Sequence, residues 1–118
     1  MRGNLKQQAK SQNGNRSNIG GVREARGNLL VCLSRNSAIP LLTGITIAPL
    51  TTRIRDIPSE VVLTPEEDGV PETCVVNTDN IQTIQKENLR GLITELSPVR
   101  MKEVMEAVRF SLGFDDFE

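Results

Sequence analysis

Two hydroxyl groups and two guanidinium groups fall close together in the segment Thr51-Thr52-Arg53-Ile54-Arg55. A hydroxyl can donate a hydrogen bond to a phosphoryl oxygen, and an arginine can hold a phosphate through paired N–H donors. The segment therefore suits a phosphate site. The same residues also fit a strand-end threonine followed by solvated loop arginines, and the segment alone leaves both interpretations open.

Other catalytic chemistry has little support in the composition. The chain of 118 residues has no histidine and only two cysteines, Cys32 and Cys74, each inside an apolar run. This placement is typical of buried free thiols in a reduced compartment. Neither their number nor their spacing suits zinc, so no metal site and no cofactor is predicted. Magnesium held by carboxylates stays open, although no motif favours it.

The element that must position Thr51 is a predicted strand from Thr43 to Thr51. Apolar side chains alternate there with small or polar ones, which is the period of a strand. Pro49 has no N–H to donate, so the strand is expected at a sheet edge or at a bulge near its C-terminal end. Thr51 and Thr52 would then lie just past the sheet, where side chains are available for chemistry.

Further short strands are predicted on both sides of this one. The apolar run Leu29 to Leu33 has strand length, and turn residues separate four more candidates. These candidates are residues 60–63, 73–77, 80–84 and 92–96. Regularly spaced short strands with turn signals between them favour a mainly β fold, either a small barrel or a sandwich.

The chain is predicted to close with a helix over residues 98–112. Ser97 is a suitable N-cap, Pro98 is tolerated in the first turn, and Gly113 can adopt the left-handed conformation that ends a helix. Apolar residues repeat at helical spacing in between. This stripe is expected to cover one face of the small sheet.

The N-terminal part differs from the rest in charge. Residues 1–35 carry seven basic side chains and one acidic one, although the net charge of the whole chain is −1. We expect residues 1–28 to form a polar, basic arm, disordered or diverged, and residues 29–118 to form one folded domain. No segment is apolar enough to span a bilayer or to act as a secretory signal, so a cytoplasmic location is expected.

An ordered set of segments carries a resemblance to a known family. The set comprises Ala48 to Val61, Asp68-Gly69, Cys74 to Thr83 and Leu96-Ser97-Pro98 before a terminal helix. In content, order and spacing it resembles the MazF/PemK family over residues 31–113. The resemblance implies an SH3-like barrel and a homodimeric toxin that cuts single-stranded RNA without a metal. It also implies inhibition by a cognate antitoxin, for which an acidic peptide segment is expected.

The resemblance also implies roles for individual residues. Thr51 matches the family's active-site threonine, but the family's second residue, an arginine followed by proline, falls here on Asn28 and Leu29. The nearest arginine is Arg26, which could replace it by a displacement of about 6 to 7 Å along a strand or through a bulge. The predicted catalytic residues are therefore Thr51 and Arg26. The predicted RNA-binding residues are Thr52, Arg53, Arg55 and Arg23.

The start of the family pattern is poorly matched. Arg2-Gly3 is followed by polar residues such as Lys6, where the family has a hydrophobic strand. The barrel is therefore expected to lack its first strand, with residues 4 to about 28 a diverged or reading-frame-altered version of the family's first strand and loop.

Three functional alternatives follow from these matches and mismatches. The leading one is an endoribonuclease toxin, and the second is a catalytically impaired remnant that only binds RNA or antitoxin. The third, a CcdB-like gyrase inhibitor, fits less well because that family's activity is associated with a C-terminal tryptophan motif. This chain contains no tryptophan.

Overall fold

The computed structural model describes residues 19–117, and this region forms a curled antiparallel sheet with a C-terminal helix. The strands are β1 Gly21–Ala25, β2 Asn28–Cys32, β3 Gly44–Thr51, β4 Glu60–Leu63, β5 Cys74–Asn77, β6 Gln82–Gln85 and β7 Leu92–Glu95. The α-helices are α1 Pro65–Asp68 and α2 Pro98–Ser111. The prediction of a mainly β fold with a terminal helix is confirmed, and the sheet forms a half-barrel.

Strand β3 is the centre of the sheet. The strand order is β4-β5-β3-β2-β1-β7, and β6 also pairs with β3. One edge of β3 pairs with β6 over Gly44–Ile47 and then with β5 over Leu50–Thr51, while the other edge pairs with β2. The expected edge position of this strand is therefore wrong. Pro49 is tolerated because its missing N–H falls between the stretches that pair with β6 and β5.

The two faces of the sheet carry separate apolar clusters. Helix α2 covers the first face, where Val104 and Ala107 pack with buried residues of five strands. Ser97 Oγ accepts a hydrogen bond from the Arg100 N–H at 3.1 Å, so it caps the helix as predicted. The predicted helix 98–112 is confirmed to within one residue. No helix among residues 19–117 has the length and apolarity needed to cross a membrane.

The first strand is present, contrary to the sequence prediction. Strand β1 pairs with both β2 and β7, so the folded region begins before the expected boundary at residue 29. The turn between β1 and β2 consists of Arg26 and Gly27, with φ of 54° and 84°. Two consecutive positive φ values are typical of the type I′ turn, whose twist matches paired strands. The remaining expectation of a disordered arm concerns residues 1–18, which lie outside the described residues.

An ionic cluster joins α1 to the start of α2. Arg100 donates from Nε to Asp68 Oδ1 at 2.9 Å and from Nη2 to Oδ2 at 3.2 Å. The Asp68 side chain is 3% exposed, and its Oδ2 also accepts from the Thr64 N–H at 2.9 Å. The hydrogen bonds from Arg100 to Asp68, opposed by desolvation and aided by Glu103, raise the pKa of Arg100. The cluster fixes the first turn of α2 against the sheet.

We expect Arg100→Met to lower the free energy of unfolding by about 3 kcal/mol, because the buried Asp68 carboxylate loses its cation. Glu103→Gln is the control, since Glu103 is a half-exposed partner of the same guanidinium. Its effect should stay below about 1 kcal/mol. Urea unfolding of the two variants measures the difference, and equal losses would contradict the role given to Asp68.

Candidate active site at the end of the third strand

Thr51 is the last residue of β3, and its side chain is half-buried. Its Oγ1 accepts a hydrogen bond from the Arg53 N–H at 3.1 Å. A hydroxyl has one proton to donate and two lone pairs to accept with. Within residues 19–117 the Thr51 hydroxyl donates to no acceptor, so its proton is available to an oxygen outside the chain. The geometry therefore suits a hydrogen-bond donor to a phosphoryl group.

Asn28 is the first residue of the neighbouring strand and borders the same cleft as Thr51. The pairing of β2 with β3 extends to Leu30 opposite Pro49, and Asn28 and Thr51 each lie two residues beyond that pair. A cleft of about 280 Å³, here called the threonine cleft, opens between them. It is lined by Gly27, Asn28, Leu29, Leu50, Thr51, Thr52, Glu72 and Cys74. The position that the resemblance assigns to arginine is thus beside Thr51, and a carboxamide occupies it.

Arg26 lies at the tip of the β1–β2 hairpin rather than on the strand. Its side chain is exposed and lines a second, larger cleft next to the threonine cleft. The two clefts share Asn28, Leu29 and Leu50. The prediction that positions 26 and 28 follow each other along one strand is therefore corrected, since a turn separates them. The structure brings Arg26 to the rim beside the Thr51 site and not into the same cleft.

Arg23, predicted from the sequence to bind RNA, is buried in the sheet. It is the middle residue of β1, paired with Leu30 of β2 and Leu92 of β7, and it is only 4% exposed. Strand alternation turns it towards the face that also carries Ala25 and Leu30. A side chain buried in this way offers no surface to RNA, so we withdraw Arg23 from the RNA-binding residues.

In the loop after Thr51, two residues are exposed to solvent and a third is held by hydrogen bonds. Thr52 and Arg53 are exposed. Arg55 donates from its backbone N–H and from Nε to the two carboxylate oxygens of Glu60, each at 2.8 Å. Arg53 is therefore the freer phosphate ligand of the two arginines, while Arg55 fixes the loop.

Glu60 makes this loop sensitive to acid. Burial alone raises the pKa of Glu60, but the hydrogen bonds and charge of Arg55 outweigh it, so the pKa is lowered overall. Above the pKa of the unfolded state, a carboxylate with a lowered pKa stabilises the fold. This stabilisation is lost as the pH falls through the pKa of the folded state.

We expect Glu60→Gln to destabilise the protein at pH 7 and to remove this part of the acid dependence. Urea unfolding between pH 7 and pH 3 tests it, with exposed Glu66→Gln as control; matching pH profiles would refute it.

The cysteines behave as predicted. Cys32 and Cys74 are both buried, on different faces of the sheet. Burial, together with the charges of Glu72 and Asp68, raises the pKa of the Cys74 thiol and keeps it protonated. Cys74 therefore contributes packing to the wall of the threonine cleft.

Sequence reasoning did not identify Glu72. Glu72 is exposed and lines the threonine cleft together with Thr51. Glu72 precedes β5 in a turn without any periodic pattern, so only the pairing of β5 with β3 reveals its position. Among residues 19–117, no three potential ligands of the His, Cys, Asp and Glu types cluster as a metal site would require.

Comparison with known proteins identifies the family of this chain. The family model described as PemK-like, MazF-like toxin of type II toxin-antitoxin system matches residues 21–112. Probable endoribonuclease MazF5 of Mycobacterium tuberculosis is 36% identical over 83 residues, which cover 70% of this chain and 76% of the relative. Probable endoribonuclease MazF2 of the same species is 37% identical over 84 residues, covering 71% and 82%.

Solved structures show the same fold. A mycobacterial endoribonuclease bound to its cognate antitoxin superposes with a TM-score of 0.73 at 29% identity, covering 81% of this chain and 94% of that one. A MazE–MazF structure from Deinococcus radiodurans, at 21% identity, has a TM-score of 0.72 and covers 83% and 97%. With most of its length matched by the family model, this chain belongs to the PemK-like, MazF-like toxins of type II toxin-antitoxin systems.

Proposed function

We propose that this chain is the toxin of a type II toxin-antitoxin pair and cuts single-stranded RNA without a metal or cofactor. The observation that carries the proposal is the position of Thr51. Its hydroxyl proton is available at the C-terminal end of β3, close to the hairpin that carries Arg26. The relatives named above are endoribonucleases, which supports the same activity here.

The proposed reaction uses the RNA as its own nucleophile. The ribose 2′-oxygen attacks the adjacent phosphorus and loses its proton, the bond from phosphorus to the 5′-oxygen breaks, and that oxygen gains a proton. The products are a 2′,3′-cyclic phosphate and a 5′-hydroxyl. Thr51 donates to a phosphoryl oxygen, and the Arg26 guanidinium stabilises the added negative charge. Thr52 and Arg53 hold the neighbouring phosphates.

The proposed partners follow from the same surface. The basic residues near the site would attract an acidic antitoxin segment, which would compete with RNA phosphates for the same charges. The mycobacterial relative solved with its cognate antitoxin supports such a partner. We further propose that the toxin acts as a homodimer in the cytoplasm, where its RNA substrate is found.

Incubation of the purified chain with labelled single-stranded RNA in the presence of EDTA tests the proposal. We expect cleavage that leaves 2′,3′-cyclic phosphate and 5′-hydroxyl ends. The matched control is the same strand with deoxyribose at the cut position, which has no 2′-nucleophile and should stay intact. Absence of cleavage, or cutting of the deoxyribose control, would reject the proposed reaction.

A second candidate function is a remnant that binds RNA or antitoxin without cutting. The observation that favours it is the carboxamide of Asn28 beside Thr51, with Arg26 displaced to the adjacent cleft. This candidate predicts RNA binding without product in the same experiment, so the two functions are separated directly.

A further inference from the structure

The larger cleft beside the Thr51 site has an unusual lining. It has a volume of about 590 Å³, within the range of roughly 300 to 1,000 Å³ common for ligand sites. Five of its described lining residues carry carboxamides, and Arg26 is the charged one among them. The carboxamides are Asn28, Asn80, Gln82, Gln85 and Asn88.

The carboxamides reach the cleft from two sides. Asn28 begins β2, whereas the other four lie on β6 or on the short turns at its two ends. Gln82 is paired with Ile47, and residues directly opposite each other share a face of the sheet. Gln82 therefore points to the face that carries Ile47 and Leu30. Asn28, two residues before Leu30, shares this face, so Asn28 and Gln82 lie on the two sides of β3.

Most of these carboxamides have few or no hydrogen-bond partners within the described region. Within residues 19–117, the Gln82 Nε2 donates one long bond of 3.4 Å to the Asn80 carbonyl, while the side chains of Asn28, Gln85 and Asn88 make no hydrogen bond. Gln82 and Gln85 are exposed, and Asn88 is half-buried. Their donors and acceptors are therefore free for a ligand.

A carboxamide matches the edge of a nucleobase. It presents one acceptor and two donor hydrogens in a plane, so it can bind a neighbouring donor and acceptor together, as on adenine. Single-stranded RNA is recognised through such edges on unstacked bases. Phosphate recognition would instead require a row of lysines and arginines. This lining is thus suited to bases rather than to backbone.

The cleft floor and its position fit the same ligand. Leu29, Pro49, Leu50 and Ile84 supply half-buried apolar surface on which a flat base can lie. None of the described lining residues is aromatic, so base stacking on aromatic rings is not available here. Hydrogen bonds to the edge of the base must therefore provide most of the selectivity between bases. Asn28, Leu29 and Leu50 also border the threonine cleft, which makes the two clefts adjoining parts of one surface.

We propose that this carboxamide cleft, defined by Asn28, Asn80, Gln82, Gln85 and Asn88, binds a base next to the scissile phosphodiester and determines the preferred RNA sequence. The inference rests on the proposed function for its ligand. A base held there would be attached to a ribose close to Thr51. Gln82 is the most direct residue to test, because it lies on a strand, is paired with Ile47 and lines the cleft together with it.

The test separates base selection from cleavage. A pool of random single strands with 2′-fluoro sugars, which lack the attacking hydroxyl, is bound to the purified chain, and the bound strands are sequenced. The variant is Gln82→Met, which keeps the shape but loses the carboxamide. Lys102→Met is the matched control, because Lys102 is exposed on the helix that covers the opposite face.

We expect the wild type and Lys102→Met to enrich one base at one position. Gln82→Met should lower that preference by roughly tenfold to a hundredfold, as expected for loss of one paired base contact. Unchanged enrichment in Gln82→Met, or no enrichment by the wild type, would overturn the proposal. The proposal would also be overturned if Gln82→Met kept the base preference but bound an acidic antitoxin peptide more weakly. That result would assign the cleft to the peptide. If the chain selects a base but does not cut RNA strands that carry the 2′-hydroxyl, the proposed role of the cleft is supported. The proposed ribonuclease activity is then rejected.

Discussion

Thr51→Ala is expected to lower the rate of RNA cleavage by about 100-fold to 1,000-fold. This is the range found when one hydrogen-bond donor to a developing oxyanion is removed. The Thr51 hydroxyl accepts a hydrogen bond from the Arg53 N–H and has its proton to donate. Alanine removes the hydrogen-bond donor to the phosphoryl oxygen, while the backbone pairing of β3 with β5 is kept. Single-turnover cleavage with saturating enzyme measures the effect on the chemical step.

Thr51→Ser separates loss of the hydroxyl from loss of packing. Serine keeps the donor and loses only a methyl group, so its rate should stay within about tenfold of the wild type. Thr52→Ala, at the exposed neighbouring residue, should weaken RNA binding with little effect on the chemical step. Equal rates for Thr51→Ala and the wild type would show that another group stabilises the transition state.

Arg26→Asn is expected to change stability and activity in opposite directions. Arg26 has a φ of 54° and precedes Gly27 in a type I′ turn, where asparagine followed by glycine is strongly preferred. The substitution should therefore raise the free energy of unfolding by a few tenths to about 1 kcal/mol. It also removes the guanidinium, so cleavage should fall by about 100-fold.

Urea unfolding and single-turnover cleavage of the same preparation measure both effects. Arg35→Asn is the matched control, because Arg35 is exposed and lines neither cleft. It removes the same charge and should leave cleavage close to that of the wild type. A stabilised Arg26→Asn with full activity would take Arg26 out of the mechanism.

Much of the fold could be predicted because its signals are local. The alternation in β3, the turn residues around β4 and the Ser97 cap of α2 place these elements to within about one residue. Strand β1 was missed because its sequence begins with glycine and carries Arg23 and Glu24 in its interior. Its stability comes from pairing with β2 and β7, which are contacts that no local pattern reports.

The candidate site was predictable only in part for the same reason. Thr51 follows from its place at a strand end, whereas the positions of Asn28 and Glu72 depend on how β2 and β5 pair with β3. Arg26 was predicted as a strand residue and lies in a turn, because Arg26 and Gly27 both adopt positive φ and reverse the chain between β1 and β2. Burial of Arg23 likewise depends on the face of the sheet that it shares with Ala25 and Leu30, which the pairing of β1 with β2 determines.

The most direct measurement is a crystal structure of the chain with a single strand that carries deoxyribose at the cut position. We expect the Thr51 Oγ1 within about 3 Å of a non-bridging oxygen of the scissile phosphate, with the Arg26 guanidinium on the same phosphate. The account would be contradicted if the bound strand placed that phosphate away from Thr51, or if the hairpin kept Arg26 out of reach of it.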